Sequence, residues 1–129
     1  MESRVSVKQS ALPGAVPAIR AAVSHFLEPQ CVEPTRLADI LLAVTEACGN
    51  VVRHAYVTEP GYVRCEAEYV DSRLVVRVYD WGSRTWDAPS HNPGAGFGTP
   101  LMEQLADDVR RSVEGGVKMV ELHFALVPG

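Results

Sequence analysis

An α+β layer sandwich is the fold class this sequence predicts, and three features predict it. One long amphipathic stretch carries an apolar stripe at Leu37, Ile40, Leu41, Val44, Cys48, Val51 and Ala55, the spacing of a helix face. Two alternating runs, 63–69 and 74–79, are joined by so short a link that they must pair antiparallel. Two further strand-like runs, 109–113 and 117–126, close the chain. Helices and an antiparallel-rich sheet in 129 residues make one domain, 1–129, with one core.

Taken in order, Val5 and Val7 alternate with polar neighbours and predict a short edge strand. The run 11–17 holds two prolines and a glycine and reads as a turn. Ile19, Ala22, Val23 and Phe26 predict a helix over 18–27, stopped at Glu28-Pro29 because a residue before proline avoids the helical region. Pro34 suits the first turn of the long helix. Arg36, Asp39, Ala43, Glu46, Asn50 and Arg53 fall opposite its apolar stripe. Glu59-Pro60-Gly61 then turns the chain. In the first central strand Val63, Cys65, Ala67 and Tyr69 point one way, leaving Arg64, Glu66 and Glu68 on a wet face. Residues 81–98 contain four glycines and two prolines without periodicity, a long loop of the kind that carries function. Pro100 opens a last helix with Leu101, Met102 and Leu105. Glu114-Gly115-Gly116 joins the final strands, and Val120, Leu122, Phe124 and Leu126 share a face.

Composition narrows the function classes. A net charge of −4 with scattered Lys and Arg argues against a dedicated nucleic-acid binder. No apolar stretch approaches the roughly 18–20 residues that span a bilayer, and the N-terminus lacks the apolar centre of a signal peptide. Cys31, Cys48 and Cys65 have no CxxC spacing, which fits reduced thiols in a cytoplasm, each as a small buried apolar residue. The four histidines share no spacing that would make a metal site.

Chemistry concentrates in three short motifs. Glu46 and Asn50 stack one helical turn apart. A carboxamide oxygen suits a hard cation such as Mg²⁺, and the carboxylate can accept a proton from an attacking hydroxyl. Gly49 in mid-helix goes against helix propensity and permits close approach by a ligand or another segment. In Asp80-Trp81-Gly82, an aspartate at a strand end can accept a hydrogen bond from a purine amino group, and the glycine lets the backbone pass close to the ring. The run Gly94-Ala95-Gly96-Phe97-Gly98 precedes a helix and can turn backbone N–H groups toward an anion. It lacks the Lys-Ser/Thr of a P-loop and follows no βαβ strand, which disfavours both common nucleotide folds.

In their order these motifs resemble the GHKL superfamily, whose members share the Bergerat ATP-binding fold. The block 43–56, from Ala43-Val44-Thr45-Glu46 through Asn50 to Arg53-His54-Ala55-Tyr56, is similar to the small anti-sigma-factor serine kinases of bacteria. The resemblance covers about 37–126. It implies a two-layer α/β sandwich with a mixed, mostly antiparallel sheet under about three helices. It implies Asn50 as a ligand of Mg²⁺ on ATP, Glu46 as general base, and Arg53 and Phe97 as further nucleotide contacts. Asp80 would take the adenine amino group, Gly82 would line the base pocket, and Gly94, Gly96 and Gly98 would wrap the phosphates. The implied partners are a STAS-domain anti-sigma-factor antagonist, phosphorylated on serine or threonine, and a sigma factor, with a homodimer as assembly.

Two departures stand out. Where the family shows Gly-Thr near the last strand, this chain has Gly115-Gly116-Val117-Lys118. Losing one neutral hydrogen bond to the base costs about 0.5–1.5 kcal/mol, or about threefold to tenfold in affinity. Thr99-Pro100 also replaces the usual aliphatic residues and removes one N–H from a helix start. These departures keep a second expectation open: a partner-switching binding module of the same fold with weak or no nucleotide binding.

Overall fold

The computed structural model describes residues 3–83 and 98–126, apart from the side chains of 98 and 99. Strand β1 is Arg4–Ser10, followed by helix α1, Ala15–Leu27, and a 3₁₀ turn at Glu28–Gln30. Helix α2, Pro34–Asn50, runs on into a π-helical turn, Val51–Ala55. Strands β2, Tyr62–Val70, and β3, Arg73–Asp80, precede helix α3, Gly98–Leu105. Strands β4, Asp108–Glu114, and β5, Val117–Ala125, complete the chain. The sheet order is β1-β2-β3-β5-β4, and the three helices form the second layer. All four pairings are antiparallel, so the parallel element of the expected mixed sheet is absent among the described residues.

Helix α1 starts three residues before its expected first residue. Pro17 falls in its first turn, where backbone N–H groups have no partner within the helix, so a proline there removes no hydrogen bond. Helix α2 opens with Pro34 after Glu33, whose carboxylate accepts hydrogen bonds from the Thr35 and Arg36 N–H groups. Those two backbone donors hold the Glu33 carboxyl below its ordinary value. The α2 stripe buries Ile40, Val44 and Cys48 as expected. Ala43, placed on the outer face by the stripe, is buried as well, together with Ala47 and Gly49. The cause is position: α2 is the middle helix, packed against α1, α3 and the sheet, so small residues on its flanks let its neighbours approach.

The core-facing side of the sheet carries Val63, Cys65, Ala67, Leu74, Val76, Val78, Leu122 and Phe124. Cross-strand pairing sets Leu74 opposite Phe124, Val76 opposite Leu122, and Val78 opposite Val120. The β4–β5 turn uses Gly115 and Gly116 at φ of 59° and 81°, a left-handed pair that glycine adopts without strain. Arg36 joins the layers at the far end of α2, donating to the carbonyls of Ala125 and Leu105 and pairing with Asp107. Cys48 and Cys65 are buried, and their contact together with burial pushes the Cys48 thiol up. Cys31 is exposed, against expectation, at the left-handed residue that ends the 3₁₀ turn.

The sheet face turned away from the helices is not simply wet. Glu66 is only 4% exposed, because Arg4, Arg64 and Arg77 lie across it at 3.5, 2.9 and 3.2 Å. Arg77 also pairs with Glu68 and, at 2.8 Å, with Glu121. His123 Nε2 stands 2.7 Å from the other Glu121 oxygen. Burial pushes the Glu121 carboxyl up, but hydrogen bonds with His123 and Arg77 and their charges outweigh it and hold it below the ordinary 4.5. A depressed folded-state value means the stabilisation is complete above about pH 4.5 and is lost as pH falls through the lower folded-state value. Glu121→Gln is therefore expected to destabilise the protein at neutral pH, with the gap to wild type closing below pH 4.5. Urea midpoints across pH 3–7 read this directly, and a gap independent of pH contradicts it.

Candidate functional site

Two polar groupings are linked through the turn that follows α2, which packs against the end of β3. The first lies on the last turn of α2. Arg53 Nη2 donates to Asn50 Oδ1 at 3.0 Å and stands 4.0 Å from Glu46 Oε2. Glu46, Asn50 and Arg53, read from sequence as one face of the helix, thus converge on one half-exposed point. The close approach expected at Gly49 comes from Arg53 itself: a Cβ at position 49 would sit 2.7 Å from Arg53 Nη1. One lone pair of Asn50 Oδ1 is thus taken by Arg53, which leaves the other for a cation or a further donor.

The second grouping is at the end of β3. Asp80 and Lys118 are paired across β3 and β5, and both are 6% exposed. Lys118 Nζ lies 3.1 Å from Asp80 Oδ1 and also donates to the Gly82 carbonyl. The same Asp80 oxygen accepts the Gly82 N–H at 3.0 Å. Lys118 was not among the residues singled out from sequence. The signal was there: Lys118 precedes Val120, Leu122 and Phe124 by steps of two, so it belongs to their buried face. A buried lysine demands an anionic partner.

The π-helical turn connects the groupings. A Cβ at position 82 would overlap the carbonyl oxygen of Ala55, so Gly82 is required by this backbone contact whether or not a base lies beside it. The Tyr56 hydroxyl accepts from the Tyr62 and Trp81 N–H groups at 3.0 and 3.1 Å and donates to the Tyr62 carbonyl. Tyr56, quoted from sequence only as part of a motif, thus pins the end of the helix to the start of β2 and the end of β3. Ser83 bonds to Glu59 at 3.0 Å. From there residues 84–97 lead to α3. Gly94, Gly96 and Phe97 lie outside the described residues, and Gly98 opens α3.

Fold and site together define a two-layer α+β domain whose polar cluster forms where its middle helix meets the strand ends. The profile of the histidine kinase-like ATPase domain matches residues 9–124, and the chain belongs to that family. It is homologous to the RsbW serine-protein kinases. It is 30% identical to serine-protein kinase RsbW of Bacillus licheniformis, covering 93% of this chain and 84% of that one. It is 31% identical to serine-protein kinase RsbW of Bacillus subtilis, over 88% and 80% of the two chains. The fold matches a crystal structure of the RsbU and RsbW domains of Rv1364c from Mycobacterium tuberculosis at a TM-score of 0.75 and 22% identity. That match covers 97% of this chain and 33% of the longer one.

Gly82→Ala is expected to cost about 1–3 kcal/mol, because the Ala55 carbonyl must move to admit a methyl group. Tyr56→Phe is expected to cost about 1–2 kcal/mol by removing the acceptor of two backbone N–H groups. Both are read as shifts in urea midpoint at constant slope. An unshifted midpoint in either variant rejects the corresponding contact.

Proposed function

We propose that this chain is an ATP-dependent serine-protein kinase of the cytoplasm that phosphorylates a STAS-domain anti-sigma-factor antagonist. A sigma factor is its alternate partner, and a homodimer its assembly. The observation that carries this reading is the meeting of Glu46, Asn50 and Arg53 on the helical turn that leads to Asp80 and Gly82. Similarity to the serine-protein kinases of Bacillus supports it.

The residues present fit a magnesium nucleotide. Asn50 offers a neutral oxygen on a half-exposed helix face, and the buried end of β3 offers a carboxylate held by a lysine and a backbone N–H. Mg-ATP, when bound, supplies the transferable γ-phosphoryl group with its charge partly offset. Asn50 Oδ1 would hold the cation through the lone pair that Arg53 does not use. The Arg53 guanidinium beside it would be available to phosphate oxygens, for which its planar fork is suited. Glu46 would take the proton from the attacking serine hydroxyl, the serine oxygen gaining the γ-phosphoryl group as its bond to the departing ADP breaks. Asp80 would accept from the base amino group, Gly94, Gly96 and Gly98 would wrap the phosphates, and Phe97 would be a further nucleotide contact.

Calorimetric titration with Mg-ATP is expected to give saturable heat. Glu46→Gln should keep that heat while phosphoryl transfer to the antagonist falls by about 10²–10⁴-fold. Unchanged turnover in the variant removes Glu46 from the mechanism. Absence of heat at millimolar Mg-ATP establishes the binding-module reading in place of the kinase.

A further inference from the structure

We infer that Lys118 is a base-reading residue: with Asp80 it forms a donor–acceptor pair matched to the N1 and 6-amino positions of adenine. This assignment rests on the reading of Asp80 as the floor of a base site. It goes beyond that reading by giving the lysine a direct contact of its own.

The geometry begins with the register. Asp80 and Lys118 are direct cross-strand partners at the ends of β3 and β5, on the face that the helices cover. Their charged atoms lie side by side, with 3.1 Å between Nζ and Oδ1. Every other pair along this register on that face is apolar: Leu74 with Phe124, Val76 with Leu122, and Val78 with Val120. A buried ion pair in such a setting contributes little compared with an apolar pair of equal volume, because both charges must be stripped of water. Stability therefore gives no reason for charge at this one place, which is also where the sheet ends and the polar cluster begins.

The hydrogen-bond inventory gives a reason. An ammonium has three donors. Among the described residues one is donated in a hydrogen bond, to the Gly82 carbonyl, while Asp80 Oδ1 lies 3.1 Å from Nζ as the ion-pair partner. The carboxylate has its Oδ1 engaged by Lys118 and the Gly82 N–H, while its Oδ2 takes no hydrogen bond from a described residue. The pair thus retains an acceptor oxygen, Asp80 Oδ2, and at least one ammonium donor, on side chains that are already ion-paired. The Watson–Crick edge of adenine presents the complement, an amino donor at position 6 beside an acceptor at N1. Guanine presents the reverse, an acceptor at position 6 beside an N1–H, and in the same pose meets carboxylate with carbonyl and ammonium with N–H. Sites built to hydrogen-bond a ligand reject analogues that leave their buried polar groups unpaired.

This changes the meaning of the absent threonine. Lys118 stands in the stretch where the resemblance expects that residue, and it brings a charged donor there. The neutral hydrogen bond expected to be lost is replaced by a charge-assisted one, which is the stronger kind.

Calorimetry on the wild-type chain with four nucleotides, each as its magnesium complex, tests the assignment. ATP is the reference. 1-Deaza-ATP keeps the amino group but has C–H in place of N1, and is expected to bind about 10- to 100-fold more weakly. Purine riboside triphosphate keeps N1 but lacks the amino group, so it probes Asp80. GTP reverses both positions and is expected to bind more weakly than either analogue. Lys118→Met should bind ATP and 1-deaza-ATP alike, and the wild-type comparisons stand even if that variant fails to fold. Equal affinity of the wild type for ATP and 1-deaza-ATP overturns the role of Lys118. Weaker binding of purine riboside triphosphate in that case leaves the Asp80 base site intact. GTP binding tighter than ATP overturns the assignment of the base. Failure of ATP to bind at all removes the nucleotide reading and this assignment with it.

Discussion

The register of β3 against β5 decides both the core and the site. With Leu74 opposite Phe124 and Val78 opposite Val120, the apolar side chains of both strands face the helices. The same alternation, continued to the end of the ladder, brings Asp80 and Lys118 together under cover. A slip of one residue would send every one of these side chains to the opposite face. The hydrophobic pattern that buries Phe124 and Leu122 therefore also fixes where two charges meet, so the stability of the sheet and the placement of the polar pair have one cause.

The helix layer obeys a related constraint. Helix α2 is packed on both flanks and beneath, which confines its polar residues to a narrow strip. Glu46 and Asn50 occupy that strip near the helix end, and Arg53 folds back over Gly49 to reach both. The π-helical turn that follows makes the chain arrive at Gly82 backbone to backbone, with no side chain between. π-Helical turns concentrate at functional sites because they displace the backbone from the regular helical path. Here the displacement sets the Ala55 carbonyl against the strand end, and Tyr56 locks it there.

Elements with one dominant period were legible before any coordinates. The α2 stripe, the alternation of β2 and β3, the glycine turn before β5 and the grouping of Glu46 with Asn50 all follow from spacing alone. What spacing did not supply depended on neighbours distant in sequence. Ala43 is buried because a second helix leans on it, and Glu66 is covered because Arg4 of β1 and Arg77 of β3 join Arg64 of its own strand over it. The start of α1 lies earlier than its prolines suggest, because the first helical turn has no hydrogen bond for proline to break. Lys118 was legible in principle, but its burial becomes evident only once the face it shares with Phe124 is counted back by two more residues.

The cysteines add a different kind of consequence. Native chains carry one thiol open to solvent, Cys31, and two enclosed between helix and sheet, Cys48 on α2 and Cys65 on β2. An alkylating reagent in the folded state thus meets a single-site target, a convenient point for a fluorophore. Slow modification of the enclosed pair would instead clock the rate at which the two layers part, a native-state record of breathing taken between α2 and β2.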